Sequence, residues 1–97
     1  GLKYQSGNYQ GAIADYNKEI EINPLYATAY SNRGIAKREL GDNKAAIADY
    51  NKAIEINPLY ATAYSNRGNA KRKSGDNKGA IADYNKAIEI NPQYATA

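Results

Sequence analysis

Arg33 and Arg67 stand at the same place in two copies of one stretch, INPLYATAYSNRG, which runs from Ile22 to Gly34 and again from Ile56 to Gly68. A lysine follows each arginine one helical turn later, Lys37 or Lys71, and a further arginine, Arg38 or Arg72, comes directly after it. A carboxylate keeps the same beat: Asp15, Asp49 and Asp83 are spaced 34 residues apart. Tyr30 and Tyr64 precede the two arginines by three residues. The chemistry open to this set is anion recognition and ion pairing. A guanidinium meets a carboxylate through two parallel hydrogen bonds and stacks over an aromatic face. A bare buried charge is very costly, so Arg and Lys lay their stems along apolar surface and keep the charged head wet or paired. Arg33 is therefore expected within salt-bridge reach of Asp15 or Asp49, with Tyr30 as a cation–π partner. Two roles are open to Arg33 and Arg67. They form structural inter-repeat pairs with Asp15, Asp49 and Asp83, or they touch a ligand. The recurrence of the same Arg with the same Asp and Tyr context favours the structural role.

Other chemistry is largely excluded. The chain has no His, Cys, Met, Trp or Phe. Without Cys there is no disulfide framework, thiolate nucleophile or zinc–thiolate site. Without His the commonest metal ligand and proton shuttle is gone. Ser6, Ser31, Ser65 and Ser74 have no histidine to activate them, and no Gly-x-Ser-x-Gly, Gly-x-Gly-x-x-Gly or P-loop pattern occurs. The expectation is a protein without enzymatic activity, cofactor or metal. A net charge of +3 is too weak to argue for nucleic acid. No apolar run approaches the roughly 20 residues that span a bilayer, and no signal-peptide pattern is visible. A soluble, cytoplasmic setting with no nucleic-acid or membrane partner is expected.

The elements that must position these residues are set by a repeat. Asn-Pro recurs at Asn23-Pro24, Asn57-Pro58 and Asn91-Pro92, again 34 residues apart. Laying Leu25–Pro58 on Leu59–Pro92 leaves four differences: Ile35/Asn69, Glu39/Lys73, Leu40/Ser74 and Ala45/Gly79. A fixed period of this length means a stacked array. Pro58 ends a helix, because the residue before proline avoids the α region. Gly41-Asp42-Asn43 breaks the period in the middle, with Asp42 or Asn43 suited to cap the next helix. Each period thus holds two helices. The first helices are expected at Tyr26–Leu40 and Tyr60–Ser74, and the second helices at Tyr9–Ile22, Asn43–Ile56 and Asn77–Ile90. The middle second helix carries the apolar stripe Ala46, Ile47, Tyr50, Ala53, Ile54. Its polar face is expected to pair Asp49 with Lys52 and Lys52 with Glu55.

The period, the helix–turn–helix unit and the residues Tyr30, Gly34, Gly41, Ala46, Tyr50, Ala53 and Pro58 resemble the tetratricopeptide repeat. The third unit matches with Tyr64, Gly68, Gly75, Ala80, Tyr84, Ala87 and Pro92. The first keeps Gly7, Ala12, Tyr16 and Pro24 but has Glu19 where the family has Ala. The resemblance implies an all-α, right-handed superhelical solenoid of antiparallel helix pairs. Its units would be residues 1–24 (truncated), 25–58 and 59–92, with 93–97 opening a fourth. Gly1–Ser6 would be the end of one first helix and Ala95–Ala97 the start of another. The chain departs from the family at Arg33 and Arg67, where Leu is usual, and at Lys37 and Lys71, where an aromatic is usual.

In such arrays the first helices line a concave surface that receives an extended peptide or a helix. Carried over by position, the groove residues are Thr28, Ser31, Ile35, Arg38 and Glu39 in the second unit, flanked by Asn32. In the third they are Thr62, Ser65, Asn69, Arg72 and Lys73, flanked by Asn66. The first unit would add Gly1, Tyr4 and Gln5. The basic excess lies on this layer. Arg33, Lys37 and Arg38 stand against Glu39 alone, whereas Arg67, Lys71, Arg72 and Lys73 face no acid in their helix. The resemblance and the charge together point to a module that binds an acidic or carboxylate-ending peptide. Two other readings stand beside it. The basic layer is a solvated face, or the chain is a structural or consensus array, a homo-oligomer whose open ends stack head to tail.

Overall fold

The computed structural model describes residues 8–96. Helix starts and stops follow local chemistry. The side-chain oxygens of Asn8, Asp42 and Asp76 accept hydrogen bonds from the backbone N–H groups of Gly11, Ala45 and Gly79 at 3.0, 3.1 and 2.9 Å. Each satisfies a donor that a helix start leaves orphaned. From these caps run α1 (Tyr9–Ile22), α3 (Asn43–Ile56) and α5 (Asn77–Ile90). They end at Asn23, Asn57 and Asn91, whose backbones are extended because a proline follows each. The three bounds are those expected from the sequence.

Between them lie α2 (Ala27–Glu39) and α4 (Ala61–Lys73). Each is one residue shorter at both ends than expected, since Tyr26, Tyr60, Leu40 and Ser74 are the flanking half-helical residues. Both close on a left-handed glycine, Gly41 at φ 89° and Gly75 at φ 93°. There the Gly41 N–H donates to the Arg38 carbonyl and the Asp42 N–H to the Lys37 carbonyl, both at 2.9 Å. That double closure ends the helix and hands the chain to Asp42, which caps the next one. A 3₁₀ turn, Pro92–Thr96, follows α5. The remnant of a first helix expected at Gly1–Ser6 lies outside the described residues, as does Ala97.

Helices pack in sequence order. α2 lies on α3 and α4 on α5 as hairpins, α1 meets α2 and α3 meets α4 between units, and α2 also touches α4. This is an all-α helical-repeat solenoid, with no strand among the described residues. Its interior is built from small residues and tyrosine. Ala46 and Tyr50 of α3 meet Ala70 of α4, with Ile35 and Ile47 against them. Tyr50 is completely buried. The close approach that allows this falls at Gly34, where an added Cβ would sit 2.6 Å from the Tyr50 ring. Gly68 and Tyr84 repeat the arrangement at 2.8 Å. On α5 the position of Ile47 is held by Ile81, which is 59% exposed.

One expected surface pairing is absent. Lys52 does reach Glu55 at 3.1 Å, and Lys86 reaches Glu89 at 3.2 Å. Asp49, however, is only 4% exposed and turns away from Lys52 toward α2. Two cations on the facing helix outbid one solvated lysine on its own helix.

Candidate functional site

The buried carboxylates organise the basic residues. The Arg33 guanidinium donates to Asp49 twice, from Nε to Oδ2 at 2.9 Å and from Nη2 to Oδ1 at 2.7 Å. Its remaining edge donates from Nη1 to the Asn17 side-chain oxygen at 2.9 Å. Its face lies 5.2 Å from the centre of the Tyr30 ring. Lys37 completes the cluster, with Nζ 3.2 Å from Asp49 Oδ2. The second copy repeats every contact. Arg67 bonds Asp83 at 2.8 and 2.7 Å and Asn51 at 2.8 Å, stacks at 5.3 Å on Tyr64, and Lys71 lies 3.2 Å from Asp83. Hydrogen bonding to Asp49 and Asp83 raises the pKa of each arginine against the opposing pull of burial. A guanidinium with all its edges engaged is a built-in strut, and these arginines have little left to offer a ligand.

The expected inter-repeat ion pair is corrected in one respect. Arg33 and Asp49 lie on α2 and α3, and Arg67 and Asp83 on α4 and α5, so each carboxylate bridge closes within one hairpin and not between neighbouring hairpins. The step to the preceding helix is a charge-assisted hydrogen bond to a neutral amide, from Arg33 to Asn17 or from Arg67 to Asn51. Helix phase decides this, because Asp49 faces α2 across the hairpin while Asn17 sits on the helix that α2 leans against. Asp15 holds the corresponding place on α1 and is exposed. The residues expected to form its first helix lie outside the described residues. The asparagines were not singled out in the sequence, although Asn17, Asn51 and Asn85 keep the same 34-residue beat.

The positions expected to line a groove divide by what they already do. Ser31 is 1% exposed and its hydroxyl receives a hydrogen bond from Asn66 Nδ2 at 3.4 Å, which ties α2 to α4. Asn69 Oδ1 accepts from the Tyr84 hydroxyl at 2.5 Å. Thr62 and Tyr94 share a hydroxyl–hydroxyl hydrogen bond. Ile35 packs half-buried on the Ala46–Tyr50–Ala70 core. Asn32 and Ser65 are half-buried, and Thr28 is exposed. Arg72 and Lys73 are exposed in the last turn of α4. Arg38 is distinct from all of these. Its Nη2 lies 3.6 Å from Glu39 Oε1, while its Nε and Nη1 are buried without any hydrogen-bond acceptor.

Among the described residues no group of three or more His, Cys, Asp or Glu side chains could hold a metal ion. No described helix is long and apolar enough to cross a membrane.

The family is now defined. Models of the TPR repeat match residues 2–37 and 36–75, and a tetratricopeptide-repeat model matches 61–94. The chain belongs to the tetratricopeptide-repeat family. No curated protein matches it. Among solved structures it is similar to the first TPR domain of Spaghetti (RPAP3) bound to the HSP90 peptide SRMEEVD. That likeness has 31% identity and a TM-score of 0.93, and covers 98% of this chain and 77% of that one. The TPR domain of Arabidopsis OM64 is similar at 33% identity and a TM-score of 0.90, covering 95% of this chain and 76% of that one. The second TPR domain of human RPAP3, in complex with the HSP70 peptide SGPTIEEVD, shares 26% identity at a TM-score of 0.89, covering 97% and 81%.

Proposed function

We propose that this chain is a peptide-binding module that holds a short acidic or carboxylate-ending segment along the groove formed by α2 and α4. The observation that carries the reading is Arg38, a largely covered guanidinium with two donors that lack any acceptor. Leaving a buried donor unsatisfied costs about 1–3 kcal/mol. An extended segment laid along α2 would supply the missing oxygens, and its binding would recover that cost. The loose 3.6 Å contact to Glu39 leaves the Arg38 head able to turn to such a ligand.

Charge supplies the preference for acid. Arg33, Lys37, Arg67 and Lys71 are consumed by Asp49 and Asp83. Arg72 and Lys73 have no ion pair among the described residues and remain for a partner. The peptides in the two similar complexes both end in the run EEVD, which is the chemistry this surface fits. The test is calorimetric titration with a short glutamate-rich peptide ending in a free carboxylate. Binding should weaken steeply with added salt and be lost on Arg72→Ala or Lys73→Ala. Binding unaffected by either change, or no binding at all, would overturn the reading.

A further inference from the structure

Two units that otherwise repeat almost word for word differ inside the groove. Of the four positions that change between Leu25–Pro58 and Leu59–Pro92, two are groove positions, Ile35/Asn69 and Glu39/Lys73. A groove of identical units looks the same after every step of one unit, so it cannot fix where along it a segment lies. These substitutions break that degeneracy, and the structure shows the direction in which they break it. Ile35 gives α2 an apolar spot backed by the Ala46–Tyr50–Ala70 core. At the same place on α4, Asn69 is polar and already holds the Tyr84 hydroxyl. One turn on, α2 pairs Arg38 with Glu39, so its last turn answers its own charge. On α4 that turn carries Arg72 and Lys73, both exposed and with no acid to pair them among the described residues.

We infer that the groove has a chemical polarity. It takes a segment whose apolar side chain rests on Ile35 while its carboxylates lie on Arg72 and Lys73. This rests on the groove reading above. Glu39 supplies the discrimination. Its carboxylate repels an acidic end placed on α2, and specificity commonly needs such a repulsive element as well as an attractive one. Arg38 then meets a main-chain carbonyl of the segment, a neutral acceptor that Glu39 does not repel.

The test uses a short peptide with leucines at one end and glutamates at the other, carrying a nitroxide label at the glutamate end. Amide signals of the intact chain are followed by NMR. The label should broaden Arg72 and Lys73 clearly more than Arg38 and Glu39. In the exchange variant Glu39→Lys/Lys73→Glu the broadening should move to the end of α2. Both changes are at exposed positions, and helix content by circular dichroism checks that the variant is folded. A second peptide with the leucines and glutamates interleaved should bind several-fold more weakly. If the peptide binds but broadens both helices alike, or the exchange moves nothing, the polarity is wrong and the groove reading survives. If neither peptide binds, both fall together.

Discussion

Arg33 and Asp49 face each other across the α2–α3 hairpin and share two hydrogen bonds of 2.9 and 2.7 Å, with Lys37 on the same carboxylate at 3.2 Å. One buried acid thus answers two cations in a place where the family usually has leucine and an aromatic ring. The loss of the acid strands both cations, whereas the loss of one cation leaves the acid still paired. Removing one partner of a buried pair typically costs about 3–5 kcal/mol. Asp49→Ala should therefore destabilise by roughly that amount, and Lys37→Met by clearly less. Urea denaturation of the two variants checks this, and equal losses would contradict the asymmetry.

Gly34 and Gly79 should respond to alanine in opposite directions. A Cβ at Gly34 meets the Tyr50 ring at 2.6 Å, and Tyr50 is completely buried. Overpacking of this kind costs about 1–3 kcal/mol. The atoms nearest a Cβ at Gly79 are those of the Asp76 carboxylate, the far end of an exposed side chain. The matching place on α3 is already alanine, Ala45, and there the Asp42 cap still forms at 3.1 Å. Gly79→Ala should stabilise by up to about 1 kcal/mol through helix propensity. Thermal unfolding of both variants gives the signs directly.

Alkaline pH should loosen the fold through Tyr16. Burial, with smaller contributions from Glu19 and Asp15, raises its phenol above the ordinary 10.0. The native state then keeps a proton that the unfolded chain releases. The stabilisation is complete below about pH 10 and is lost as pH rises through the native value. Arg33 and Arg67 are raised in the same sense and stay charged over this range. Melting temperature against pH should fall less steeply above pH 10 in Tyr16→Phe than in the unaltered chain. Identical curves would contradict the assignment.

The second helices were legible to the residue because both ends are written locally, by Asn8, Asp42 or Asp76 in front and Asn-Pro behind. The first helices lack a side-chain cap at Tyr26 and Tyr60, and their ends came out one residue short. The partner of Arg33 could be narrowed to two aspartates and no further. Both keep the same spacing, and only the packing of α2 on α3 tells them apart. That Ser31 is sealed by α4, or that Asn69 is engaged by Tyr84, depends on how closely neighbouring units approach. Spacing within one helix carries no information about that distance. The unsatisfied donors of Arg38 were beyond the sequence for the same reason, since whether an acceptor lies nearby is a property of the packed array.

The most direct test of the account is the Nε–H signal of Arg38, followed by NMR as a glutamate-rich, carboxylate-ending peptide is added. The account predicts that this signal shifts with saturation and that its proton becomes protected from exchange as an oxygen of the peptide takes the donor. The Arg33 and Arg67 signals, locked on Asp49 and Asp83, should stay where they are. An Arg38 signal that does not change while the peptide binds would contradict the groove reading at its centre.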